Sequence, residues 1–136
     1  MKKIKVETTI QSDLQKVWDM WTKPEHIIKW NQAASDWECP HAENDVRVGG
    51  KFLSTMSAKD GSASFDFSGT YTEVTPLISL AHTIEDGRQV SISFTVTKNG
   101  VHVIETFDPE NINSEALQRD GWQAILDNFK KYVETY

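Results

Sequence analysis

Towards the end of the chain, Trp122, Ile125, Leu126, Phe129 and Val133 recur at offsets of three and four and finish on Tyr136, the period of one apolar stripe on an amphipathic helix. Arg119, Gln123, Asp127, Lys130 and Glu134 fall largely off that stripe. The spacing predicts a helix from about Ser114 to Tyr136, capped by Asn113 or Ser114, with Glu115 in its first turn and Lys130-Lys131 near the end where positive charge suits the dipole. A helix of roughly 20 residues is about 30 Å long, more than one short loop can cover. It needs a sheet. Gly121 is its dissonant residue, because glycine inside a helix costs about 1 kcal/mol relative to alanine.

The rest of the chain supplies that sheet. Residues Lys2 to Ile10 alternate charged and β-branched side chains, the pattern of a half-buried first strand. Ser12-x-x-Gln15 reads as a capping box ahead of Leu14, Val17, Trp18 and Trp21 at helical spacing. Pro24 opens a second short helix whose apolar side is Ile27, Ile28 and Trp30. From about Ser35 the period changes to two: Phe65, Phe67 and Tyr71 share a parity, then Leu80, His82 and Ile84, then Val90, Ile92, Phe94 and Val96. Lys59-Asp60-Gly61, Thr75-Pro76, Glu85-Asp86-Gly87 and Asn99-Gly100 punctuate these strands as turns, giving an antiparallel meander. Gly49-Gly50 marks a bulge or tight corner before Lys51-Phe52-Leu53. The expected order is β, α, α, about six β, then one long α, an α+β domain whose curved antiparallel sheet folds over the last helix.

Composition narrows the class. With 136 residues, 38% hydrophobic and 25% charged, the chain 1–136 reads as a single globular domain. The net charge of −6 excludes a nucleic-acid surface, since the basic cluster Lys2-Lys3-Lys5 is too short for phosphate binding. Cys39 is the only cysteine, so no intrachain disulfide forms, and with no signal-peptide pattern or membrane-span run the expected location is cytoplasmic.

Four segments carry a family resemblance: Val17-Trp18-x-x-Trp21-Thr22-x-Pro24-Glu25-His26, Asp45-Val46-Arg47-Val48-Gly49-Gly50-Lys51-Phe52, Gly69-x-Tyr71-x-Glu73-Val74-x-Pro76 and Gly121-Trp122-x-x-x-Leu126. In this order they resemble the Hsp90 ATPase activator-like family of the START-like (SRPBCC) superfamily, which includes the birch-pollen allergen and polyketide cyclases. The resemblance implies a helix-grip fold with an apolar cavity between sheet and C-terminal helix. It carries no catalytic residues with it, because the superfamily hosts lipid carriers, cyclases and co-chaperone domains on one fold. An Hsp90-type chaperone partner is the weakest of these implications, since the activator has a further co-chaperone domain upstream and this chain opens on its first strand.

Within that cavity the candidate wall residues are Trp21, Trp37, Phe52, Phe67, Tyr71, His82, Phe94, Glu105, Gly121, Trp122, Ile125 and Phe129. The tryptophans Trp18, Trp21, Trp30, Trp37 and Trp122 serve either as core or as amphipathic walls for a sterol, polyketide or polyphenol-like ligand. His82 shares the apolar parity of its strand, as a packed histidine or as a base that orients a ligand hydroxyl. Glu105 shares parity with Val101, Val103 and Phe107, but His102 and Ile104 make the opposite face partly apolar too, so the inward side of this strand stays open. An inward Glu105 would be a buried carboxyl with a raised pKa. Gly121 is expected to leave concave space beside the helix. Asp45 and Arg47 read as a surface pair at the Gly-Gly corner.

Cys39-x-His41 lacks a second Cys/His pair and has Pro40 between its members, so neither a metal nor a cofactor is expected. No Gly-x-Ser-x-Gly elbow, phosphate loop or dinucleotide fingerprint occurs. The favoured function is therefore binding of a small apolar or aromatic ligand. The alternatives are a cyclase or hydrolase using His82, Glu105 or Tyr71 in the same cavity, and an Hsp90-related interaction module. A monomer is expected, with pairing through a strand edge as the route to a homodimer.

Overall fold

The computed structural model describes residues 3–136, so Lys2, the expected start of the first strand, lies outside the described residues. Strand β1 (Ile4–Ile10) leads into helices α1 (Leu14–Thr22) and α2 (Pro24–Trp30). Six strands follow: β2 (Trp37–Asn44), β3 (Lys51–Ala58), β4 (Ser64–Thr75), β5 (Ser79–Ile84), β6 (Gln89–Thr97) and β7 (Gly100–Phe107). Helix α3 (Glu115–Thr135) closes the chain. The strands form one seven-stranded sheet in the order β1-β7-β6-β5-β4-β3-β2, with every neighbouring pair antiparallel. This is the α+β helix-grip architecture: a curled half-barrel of hairpins, closed at one edge by the first strand and packed around the last helix.

The helix starts differ in one detail from the sequence pattern. Ser114 caps α3 by accepting from the Leu117 amide. The cap of α1, however, is Asp13, which accepts from the Lys16 amide at 2.9 Å, not Ser12. The Ser12 amide is already bonded to the Ile10 carbonyl, which turns the chain one residue further before the helix begins. Gln15 bonds forward to Asp19 and takes no part in a reciprocal cap.

Helix α3 secures the β1 edge of the sheet through its polar side. Gln123 Nε2 donates to the Glu7 carbonyl, Lys130 Nζ to the Thr9 carbonyl, and the Gln11 amide donates to Glu134. These offsets of seven and four keep the three side chains on one helical face and give edge-strand groups that would otherwise be unpaired a partner. The apolar stripe turns inward, where Leu126, Phe129 and Val133 are fully buried. At the opposite edge, β2 carries Pro40 and a register shift between Glu38 and His41, two features that interrupt an exposed ladder.

Period-two burial holds along the central strands. Leu80, His82 and Ile84 of β5 are buried, as are Val90, Ile92 and Phe94 of β6. Val96, expected inward, is 65% exposed even though its register partner Val101 on β7 is buried. In β7 the buried series is Val101, Val103, Glu105 and Phe107, so Glu105 faces the concave side. Its register partners, Val6 on β1 and Ile92 on β6, are both buried aliphatics.

Candidate functional site

Between the concave face of the sheet and the helices lies a cavity of about 250 Å³. Trp21, Ile27 and Trp30 wall it from α1 and α2, and Trp122 and Ile125 wall it from α3. Phe52, Ser54 and Met56 of β3 and Phe65, Phe67 and Tyr71 of β4 form its floor, with His82 and Glu105 beyond them; Asn31, Glu43 and Asn44 complete the perimeter.

Local sequence explains why these side chains are held there. Trp21 stacks on Trp30 with ring centroids 5.0 Å apart. Trp30 is fixed by two hydrogen bonds, its indole N–H donating to the Met20 carbonyl and its own carbonyl accepting from Asn128. Trp122 stacks on Phe107 with ring centroids 3.8 Å apart and meets Phe67 edge-on at 6.2 Å. The Gly49-Gly50 corner ties β3 to Tyr71: the Gly49 amide donates to the Tyr71 carbonyl and the Tyr71 amide to the Gly50 carbonyl. Gly49 has φ +83, and a side chain at Gly50 would collide with the Asp45 carbonyl, so both positions require glycine. Asp45 and Arg47 pair at 2.8 Å on the surface of this corner. On β4, a Cβ at Gly69 would run into the Thr83 carbonyl and the Phe52 ring, which explains why Phe52 can lie across the strand there.

The polar groups of the cavity divide into engaged and free. The Tyr71 hydroxyl donates to Asn44 Oδ1 at 2.6 Å, and Asn44 Nδ2 donates to the Thr22 carbonyl at 2.7 Å, linking β4, β2 and the end of α1. Burial pushes the Tyr71 phenol up to about 12, so it stays protonated and committed to Asn44. His82 is different. Both of its ring nitrogens are buried without a hydrogen-bond partner among the described residues. Its ring sits edge-on to Phe52 at 4.5 Å and to Tyr71 at 5.9 Å. Burial lowers its pKa to about 4, which leaves a neutral imidazole at physiological pH. Burial alone, with no opposing charge or hydrogen bond, raises the Glu105 carboxyl to about 8, so it too is predominantly uncharged at neutral pH.

The expected site residues therefore separate. Trp21, Phe52, Phe67, Tyr71, His82, Glu105, Trp122 and Ile125 converge on the cavity. Phe94 instead meets Trp18 and Trp21 edge-on. Phe129 is buried beneath Trp21 and Trp30. Trp37 packs on Phe65 at the far end of β2. Gly121 is off the wall, and a Cβ there would meet nothing within 4 Å. The sequence pattern did not assign Ile27, Trp30, Asn31, Glu43, Asn44, Ser54, Met56 or Phe65 to the wall. Trp30 was visible as part of the apolar side of α2; Asn44, Ser54 and Met56 depend on the β2–β3 register, which no local pattern announces. That same register shift buries Cys39 and turns His41 out to Glu43, so the Cys-x-His pair does not converge.

A curled antiparallel sheet gripping a long C-terminal helix over an aromatic-walled cavity defines a START-like domain. The chain belongs to the activator of Hsp90 ATPase homolog 1-like family, whose pattern matches residues 11–134. It is similar to the AHSA1-like protein of Aeromonas hydrophila, solved by NMR, at 46% identity and TM-score 0.93, with 98% of this chain and 93% of that one covered. A Cytophaga hutchinsonii protein is 50% identical at TM-score 0.85, over 98% and 92% of the two chains. A Nitrosomonas europaea crystal structure at 19% identity shares the fold, at TM-score 0.83 over 98% and 94%. Among curated proteins none matches significantly. No helix among the described residues is long and apolar enough to cross a membrane.

Proposed function

We propose that the protein binds a small apolar or aromatic molecule in the cavity between sheet and helices. The observation that carries this reading is the cavity itself: about 250 Å³ of space walled mainly by Trp21, Trp30, Phe52, Phe67, Tyr71 and Trp122. The space is partly open to solvent and lined largely by aromatic faces, so a ligand entering it removes that apolar surface from water. Its volume lies just below the range of roughly 300–1,000 Å³ usual for drug-sized ligands, which favours a compact molecule over a two-chain lipid. Family membership supports the same conclusion, because proteins of this fold commonly enclose hydrophobic compounds.

The neutral fluorophore N-phenyl-1-naphthylamine tests the reading. Bound in the cavity, it gains fluorescence and stabilises the fold by mass action, by about 2.7 kcal/mol at a free concentration one hundredfold above Kd, which raises Tm. Neither enhancement nor a thermal shift at its solubility limit would contradict the proposal.

A further inference from the structure

The polar side of the cavity says more about the ligand than its walls do. No lysine or arginine among the described residues lines it, and the acidic residues that do are Glu43 at the rim and Glu105 inside. Glu43 is largely exposed and bonded to His41, so the interior offers an arriving anion no counter-charge. Removing a carboxylate from water without a cation to meet it is strongly unfavourable. Beside this lack stands a surplus of hydrogen-bonding capacity. His82 lines the cavity, and its ring N–H and ring nitrogen lone pair are both unpartnered and buried just behind that wall, where a small turn of the ring brings one of them to a ligand; native proteins rarely leave such groups unmatched. A neutral imidazole has one donor and one acceptor on different edges of the ring, and a ligand hydroxyl, which both donates and accepts hydrogen bonds, can pair with either. The Glu105 carboxyl on β7 adds a second polar position, set between Val6 and Ile92 with no hydrogen-bond partner among the described residues.

Resting on the binding function proposed above, we propose that the cavity selects an uncharged, hydroxyl-bearing ligand, read by His82 with Glu105 as the second polar contact, and that it rejects carboxylates. The occupant is thus an alcohol or phenol on a compact apolar frame, as opposed to a fatty acid.

Three probes of one frame separate the terms: 2-naphthylmethanol, 2-methylnaphthalene and 2-naphthoate, titrated at pH 7 while following tryptophan fluorescence and the His82 imidazole ¹⁵N resonances. The alcohol should bind at least tenfold more tightly than the hydrocarbon and move the His82 ¹⁵N shifts. The naphthoate should bind at least tenfold more weakly than the hydrocarbon. His82→Phe should lower alcohol affinity to that of the hydrocarbon while hydrocarbon binding persists. If His82→Phe does not fold, the ¹⁵N shifts of the unaltered protein decide. Equal affinity for all three probes, a tight naphthoate, or an alcohol that leaves the ¹⁵N shifts in place would overturn the polar selection and leave the cavity-binding function standing. Failure of all three to bind would overturn both.

Discussion

Glu105 and His82 impose opposite pH slopes on the stability of the fold. Glu105 keeps its proton to about pH 8 when folded, against an ordinary value of 4.5, so the folded chain binds the extra proton and stability falls as pH rises from about 4.5 to about 8. His82 is lowered from 6.5 to about 4, so its contribution is present above 6.5 and is lost as pH falls towards 4. Between about 4.5 and 6.5 the slopes oppose each other; from 6.5 to 8 Glu105 acts alone. Urea titrations should show stability falling on the order of 1 kcal/mol per pH unit across that upper window, since one proton is linked. Glu105→Gln should flatten it. A variant as steep as the parent would remove Glu105 as the source. Gly121→Ala gains helix propensity with nothing for its methyl to strike, so it should stabilise by up to about 1 kcal/mol and leave ligand affinity unchanged; a loss of stability would reveal a close contact at that position. His82 was legible from its strand parity. The face of Glu105 was not, because β7 has apolar residues on both parities, and only pairing with β1 and β6 decides between them.

At the scale of elements, the periodic signals were read well and the boundaries less so. The 3.6 period of α3 and the Asp-Gly and Asn-Gly turns depend on neighbours in sequence, and they placed the helix and the hairpins. The start of α1 depends on where the chain leaves β1, so the Ser12-x-x-Gln15 pattern placed the cap one residue too early. The structure assigns the role to Asp13. Asp13→Ala should therefore cost about 1 kcal/mol in chemical denaturation, whereas Ser12→Ala should cost a few tenths at most. The reverse order would place the cap at Ser12. The β2 bulge escaped the sequence reading for a related reason. It arises from pairing with β3 across the register shift, and it decides that Cys39 turns inward while His41 stays in solvent.

In the whole molecule, curvature and the helix grip create the space that the aromatic residues line. On one side α2 packs against β2, while on the other α3 holds β1 through Gln123, Lys130 and Glu134. The cavity opens between these supports, and its position follows from the fold, whereas its two unengaged interior polar groups come from single positions on β5 and β7. Sequence pattern made the grip legible. It could not show how the wall divides, with Phe94 and Phe129 spent on packing the helices and Trp30 brought to the cavity by its bonds to Met20 and Asn128. Native mass spectrometry of the protein purified from its own cells tests the central claim most directly. The binding function predicts a retained small molecule, seen as added mass that is released on unfolding and is absent when Ser54, buried in the cavity floor, is replaced in a folded Ser54→Phe variant. A bare chain mass in the unaltered protein, or the same added mass in the filled variant, would contradict it.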